Sequence, residues 1–436
     1  MLAAAAVVIA CSTTDAQLSC SPTPTCSLRD ARFTPPEVPD AGPRACDTSR
    51  KRCAVSRISA GDMHSCAIAA AGELFCWGDD SQHQLGQNLP DAPTNDAAIT
   101  DAGLDITRFS RVLNQTTDVA AGGAHSCAIR EDGAVLCWGR AAEGQVDGTA
   151  RPKPVTTPRK VDVQGATQIA AGAAHSCAVV PAGVVCWGSA RYGQSGRELR
   201  DAALAPELVP DTGGAVEVAA GVRHTCARLD TGRVLCWGEL IDAATGEARP
   251  TPMATPVAGL DDATSITAGA GHSCALQAAR TVVCWGANDS GQLGNGSTDA
   301  SATPVTVTVT DLPVALSVAA GGGERDGQLV GHSCAVDTSF HVMCWGRNAE
   351  GQLGAGKTER AQEPVPVAVL GRPDQEDPYL TDVVALDLGA FHSCALDHDG
   401  PVLCWGDDEF GQLGRSERDD PIFGRAVRVG RFGRSR

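Results

Sequence analysis

At 436 residues the chain has the length of two or three ordinary domains, and a hydrophobic content of 43% is enough to pack a core. Its 35 basic against 52 acidic residues leave a formal charge of −17, which argues against the basic face that a nucleic-acid partner needs. Nineteen cysteines are hard to keep as thiols, so an oxidising compartment or a bound metal is implied.

In chain order, residues 1–11 come first. Met1 to Ala10 is apolar and too short to span a bilayer, but has the length of a signal-peptide core. Val8-Ile9-Ala10-Cys11 resembles the lipobox of bacterial lipoproteins, which implies export and lipidation at Cys11. With Ser12 next, the expected destination is the outer membrane or cell surface, the alternative being release from the cell. Residues 12–53, rich in Ser, Thr, Pro and Asp without apolar periodicity, are expected to form a tether. Its cysteines Cys20, Cys26, Cys46 and Cys53 could pair in three ways, which stay open.

From residue 54 to about 430 one phrase recurs seven times: a glycine, His-Ser-Cys-Ala or a close variant, then Cys-Trp-Gly. All seven tryptophans, Trp77, Trp138, Trp187, Trp237, Trp285, Trp345 and Trp405, lie in it. The first cysteines are spaced by 61, 50, 49, 48, 60 and 60 residues, the size of a four-stranded propeller blade. Within the second unit, 117–121 and 125–129 read as strands, Glu131-Asp132-Gly133 as a turn, and 134–138 as the returning strand. That register sets Cys127 opposite Cys137, at a Cα separation of roughly 4.5–5.5 Å that suits a disulfide. The same reading pairs Cys66 with Cys76, Cys177 with Cys186, Cys226 with Cys236, Cys274 with Cys284, Cys334 with Cys344 and Cys394 with Cys404. Both hairpin faces are apolar, as a sheet packed between neighbours requires. With the tether's four cysteines paired, nine bridges and no free thiol are expected once Cys11 is lipidated.

Gly-Gln-Leu-Gly follows in several units, at 291–294, 351–354 and 411–414, and then a Pro-Val strand, as at 154–155, 304–305 and 364–365. The first unit has no Pro-Val strand ahead of it, while 421–429 supplies one with no unit after it. The expectation is an all-β, seven-bladed β-propeller closed by pairing the C-terminal strand into the first blade, with 431–436 left as a tail.

The motifs resemble the repeat of the regulator of chromosome condensation family. The seventh unit carries the pattern almost whole, from Gly389 and His392 through Ala395-Leu396, Asp399-Gly400, Val402 and Trp405-Gly406 to Gly411-Gln-Leu-Gly414. The resemblance implies a seven-bladed propeller with end-to-start closure. The family's nuclear founder is a nucleotide exchange factor for a small GTPase that binds chromatin, and secreted bacterial relatives include an inhibitor that plugs β-lactamases. Export and acidity set this chain apart from the founder, so exchange activity is not expected.

Seven His-x-Cys motifs, at His64, His125, His175, His224, His272, His332 and His392, could suggest metal, but zinc wants four converging ligands. They are read as structural, each histidine held by backbone hydrogen bonds on its blade's inner strand, and no metal or other cofactor is expected. Asp79-Asp80, Asp407-Asp408 and Glu409 could do acid–base work, but carboxylates at turns are usually solvated, and no nucleophile elbow or phosphate loop appears. Insertions carry more information: 322–331 in the sixth unit, and the connectors 87–111 and 358–381. Arg325, Tyr192 and Tyr379 are contact candidates by residue type. The expected function is a non-catalytic scaffold, monomeric, binding an unidentified protein at the cell envelope and touching membrane only through its anchor. The alternatives are a secreted enzyme inhibitor and a hydrolase or lyase with its site in the central funnel.

Overall fold

The structure, a computed structural model, describes residues 9–11, 20–22, 55–86, 110–308, 314–356, 363–369, 379–398, 401–414 and 427–429. It divides into two units, Met1–Arg44 and Ala45–Arg436. In the first, Ile9–Cys11 pairs antiparallel with Cys20–Pro22, with Cys11 opposite Cys20 along the backbone. The rest of the expected signal segment and tether, Cys26, Cys46 and Cys53, and the tail 431–436 lie outside the described residues, as do most of both long connectors.

The second unit is seven four-stranded antiparallel sheets, and among the described residues it contains no helix. Blade 1 spans 55–113, blade 2 116–160, blade 3 168–208, blade 4 215–256, blade 5 263–306, blade 6 315–368 and blade 7 383–428. Each blade is one continuous stretch of chain, innermost strand first, with the His-Ser-Cys strand second and the Cys-Trp-Gly strand third. The hairpin register is as expected, with Cys127 opposite Cys137, Ala128 opposite Leu136 and Ile129 opposite Val135. Gly133, at the turn between them, has φ 73°, a conformation that favours glycine. All seven repeat disulfides form, with Cα atoms 4.0–4.1 Å apart. Their sulfurs lie between blades, where the cysteines are at most 1% exposed.

The expected closure is corrected. Val427–Arg428 pairs with Cys404 and Leu403 and so completes blade 7, its own blade. The outer strand of blade 1 is Ser110–Leu113, beyond the long connector, where Arg111-Val112-Leu113 stands without the Pro-Val signature. Among the described residues no strand crosses the last seam. Outer edges therefore remain, and in blades 2 to 6 they carry prolines, such as Pro158, Pro206, Pro252, Pro304 and Pro364, which cannot donate to an added strand.

Side chains close the ring instead, with one backbone bond from the Ala390 N–H to Gly61 O at 3.3 Å. Each repeat histidine meets the hydroxyl of the next blade: His64 with Ser126, His125 with Ser176, His175 with Thr225, His224 with Ser273, His272 with Ser333, His332 with Ser393, and His392 with Ser65. All seven Nε2–Oγ distances are 2.8–2.9 Å. The histidines thus sit on the second strand and bond a side-chain hydroxyl, where backbone partners on the inner strand were expected. A polar group this deep needs a partner, and the neighbouring blade supplies it. The last pair, His392 with Ser65, joins blade 7 to blade 1. Val55, Ile58, Ala67 and Trp77 of blade 1 pack there on Cys394, Leu396, Val402, Leu413 and Val429 of blade 7.

Candidate interaction face

Six seams share one clasp. Gln84, Gln145, Gln194, Gln292, Gln352 and Gln412 each offer a backbone carbonyl to the next blade. The indole Nε1–H of Trp138, Trp187, Trp237, Trp345, Trp405 and Trp77 respectively donates to it at 2.8–2.9 Å. The hydroxyls of Ser126, Ser176, Thr225, Ser333, Ser393 and Ser65 donate to the same oxygens. Because each hydroxyl hydrogen is spent on the carbonyl, the histidine facing it must donate from Nε2, which leaves Nδ1 bare. All seven Nδ1 atoms lack a partner. Burial holds these imidazoles neutral, lowering His64 and His224 to about 4 and the other five to about 3.

The acidic turns serve the same clasp. Asp80, Asn288, Asn348 and Asp408 each accept from the backbone N–H of the leucine that follows the glutamine, at 2.9–3.1 Å. Asp79 accepts from Ser81 Oγ at 2.8 Å and Gln84 Nε2 at 2.7 Å, and Asp407 accepts from the Glu409 N–H at 3.1 Å. These carboxylates brace loops.

The central channel has a cavity of about 450 Å³ at the strand-start end and about 50 Å³ at the loop end. Its polar side chains cap the exposed inner-strand N–H of the next blade. Ser59 accepts from Ala121, Asp118 from Ile169, Gln168 from Val218, Thr267 from Ala320 and Asp387 from Ala60, at 2.7–3.0 Å. Burial pushes Asp387 up to about 6 and raises Asp118, whose carboxylate also pairs with Arg57 at 2.7 Å. At the loop end, burial likewise pushes Asp62 up to about 6. Seven glycines, Gly61, Gly122, Gly172, Gly221, Gly269, Gly321 and Gly389, line the throat, and a Cβ on any would overlap the carbonyl oxygen of the next blade's glycine.

The loops before the histidines and those after Trp-Gly emerge on one face, stitched by bonds such as Arg140 N–H to Ala124 O and Glu239 N–H to Arg223 O, both at or below 2.9 Å. The sixth-unit insertion rises there as a long hairpin, Ala315–Arg325 paired with Gln328–Asp337. Its tip reaches over blade 5 to blade 4, where Arg223 Nη2 donates to Glu324 at 2.9 Å. The Arg223 guanidinium also sits 4.5 Å from the ring centre of half-buried Tyr192 and donates to Glu239 at 3.2 Å. Arg325 donates to Glu350 at 2.6 Å and lies 5.5 Å from the ring centre of Phe391. Tyr192 and Arg325 thus share this face. Tyr379 is exposed at the opposite end, beside Leu380, whose N–H donates to Val369 O at 2.8 Å. Arg223 and Phe391, missed from sequence, hold the cluster together; the insertion length was the only signal pointing there. Among the described residues no three His, Cys, Asp or Glu side chains converge as a metal site.

A family model described as RCC1-like domain matches residues 10–324, and two models described as regulator of chromosome condensation (RCC1) repeat match 341–396 and 383–412. The Protein RCC2 homolog of Danio rerio is 33% identical over 101 residues, 23% of this chain and 19% of that protein. The match therefore spans about a fifth of that relative's length. Human WBSCR16 superposes with a TM-score of 0.67 at 22% identity, over 83% of this chain and 95% of the other. Prp20p from Saccharomyces cerevisiae, whose structure is described together with its binding to Gsp1p and histones, does so with 0.64 at 21%, over 89% and 90%. At these identities the two structures speak for the fold.

Proposed function

This chain belongs to the family of RCC1-like domains, and from that premise we propose that it is a non-catalytic, protein-binding scaffold, exported and held at the cell envelope. The observation that carries the reading is the blade 6 hairpin, whose Glu324 binds the Arg223 that covers Tyr192 and whose Arg325 lies over Phe391, across several blades. A surface fixed in advance loses little conformational entropy when a partner lands on it. Loops on a rigid frame are where such binding resides. Seven formed disulfides support an oxidising compartment, and the Cys11 motif supports anchorage there. The binding of proteins named for Prp20p is that protein's own, and supports here only the use of this ring as a protein platform.

Capture from envelope extract on the immobilised full chain tests the reading. A stoichiometric protein is expected, retained on the native ring and lost on Tyr192→Ala and Arg325→Ala variants that keep their near-ultraviolet circular dichroism. Turnover of a glycan or peptide panel by the purified chain, with no protein captured, would replace this reading with the catalytic one.

A further inference from the structure

One seam of the ring lacks the clasp. In the six others the acceptor glutamine stands six residues after the Trp-Gly glycine, as Gln292 follows Gly286. In blade 4 the same count from Gly238 gives Ala244, which lies at an exposed turn. There the third strand runs on as Val234–Ile241 and pairs with Ala248–Pro256, so Glu239 faces Pro250 and Ile241 faces Ala248. The chain is carried outward where its counterparts tuck under the next blade. Irregular sequence, Glu239-Leu240-Ile241-Asp242, therefore has a definite structural result.

The consequence falls on blade 5. Trp285 keeps 6% exposure whereas the other six tryptophans have none. Among the described residues, its indole N–H has no acceptor, while every other repeat tryptophan donates to a glutamine carbonyl. Ser273 bonds His224 Nε2 at 2.8 Å and lies 3.4 Å from Cys226 Sγ, with no carbonyl to receive its hydrogen. A carbonyl that reached this seam would give both groups the acceptor that the other six seams provide. Apolar groups flank the opening. Leu240 packs on the cluster that contains Trp285. Met253, on the outer strand of blade 4, is 47% exposed.

We propose that the seam between blades 4 and 5 is a docking slot for a tight turn of a partner protein, one that presents a backbone carbonyl followed by a leucine. The carbonyl accepts from Trp285 Nε1 and Ser273 Oγ, as Gln292 O accepts from Trp345 and Ser333 one seam further on. The leucine meets Leu240 and Met253, as Leu293 and Leu353 are buried in their own seams. The six filled seams define the occupant: what the ring supplies to itself elsewhere, a partner supplies here. This deepens the scaffold reading and rests on it, naming one contact that the hairpin face does not include.

The test titrates the full chain, labelled with nitrogen-15, with the blocked peptide acetyl-Gly-Gln-Leu-Gly-amide and follows the seven indole N–H signals. The expected result is a saturable shift of the Trp285 signal alone, identified by its loss in Trp285→Phe, whose six remaining signals report an intact ring. Ser273→Ala should weaken the peptide about tenfold, the worth of one hydrogen bond to a desolvated acceptor. No shift at millimolar peptide, shifts in all seven signals, or equal binding of the peptide with aspartate in place of leucine would overturn the slot. A silent titration with envelope capture intact sinks the slot and leaves the scaffold reading standing; loss of capture sinks the scaffold itself.

Discussion

Taking the solution from neutral pH to about pH 5 is expected to unfold the ring cooperatively, and the magnitude follows from its seven imidazoles. Burial, the largest cause in each case, sets them at about 3 to about 4, against 6.5 for an unburied histidine. The folded value lies below the unfolded one, so below pH 6.5 the unfolded chain takes up protons that the ring refuses. That stability is present above 6.5 and is lost as pH falls toward the folded values. Each group costs about 1.4 kcal/mol per pH unit in this window, and seven together about 10 kcal/mol. Asp62 and Asp387 act the other way, because burial raises them from 3.8 to about 6. Their stabilisation is full below 3.8 and lost as pH rises through about 6, so between about 4 and 6 they return two protons to the folded side. A net uptake of about five protons on unfolding remains, about 7 kcal/mol per pH unit, trimmed by Asp118 and Glu217, which burial also raises. Against a stability of about 5–15 kcal/mol, the fold is exhausted within about two units below 6.5. Urea denaturation followed by tryptophan fluorescence at several pH values gives the proton uptake from the slope of stability against pH. Near-ultraviolet circular dichroism unchanged to about pH 4, or an uptake below about two protons, would refute the reasoning.

Other expectations concern the seams. Ser126→Ala leaves His64 Nε2–H without an acceptor and takes one donor from Gln84 O, so urea denaturation should show a loss of about 2–4 kcal/mol. Ser273→Ala, which breaks the bonds to His224 and Cys226 Sγ but none to a carbonyl, should cost about half as much in the same assay. Gly172→Ala drives a methyl into the Gly221 carbonyl and the His175 ring, and thermal unfolding should register about 1–3 kcal/mol or more of destabilisation. Replacing Cys127 and Cys137 together by alanine opens a short loop and should lower stability by about 3 kcal/mol, read from the urea midpoint against wild type.

Much of this architecture was legible because its causes are local and repeated. The disulfide register follows from hairpin counting alone, since directly opposed residues such as Cys127 and Cys137 are fixed by the turn between them. The closure was misread for a physical reason. A blade's outer strand needs only an apolar edge, and Val112-Leu113 supplies one without the Pro-Val signature and beyond a long connector. The seam clasp was hidden for another. Its acceptor is a backbone carbonyl, and the motif around Gln145 and Gln194 departs from Gly-Gln-Leu-Gly while the carbonyl still does its work. The histidines' hydroxyl partners lie one blade away, 49 to 62 residues along the chain for six of them and 327 for His392, where no local pattern points. Of the contact candidates, sequence placed Arg325 on an insertion; only the fold brings it to the face of Tyr192 and sends Tyr379 to the other end.

Long-range proton–nitrogen correlation of the histidine side chains at neutral pH measures the belt that closes this ring. Six of the repeat imidazoles, those of His64, His125, His175, His272, His332 and His392, are predicted to be neutral with hydrogen on Nε2 and none on Nδ1. A His392 signal that shows the other tautomer, or that titrates near 6.5, would mean that blades 7 and 1 are not joined through Ser65 and would contradict this account of the closing seam.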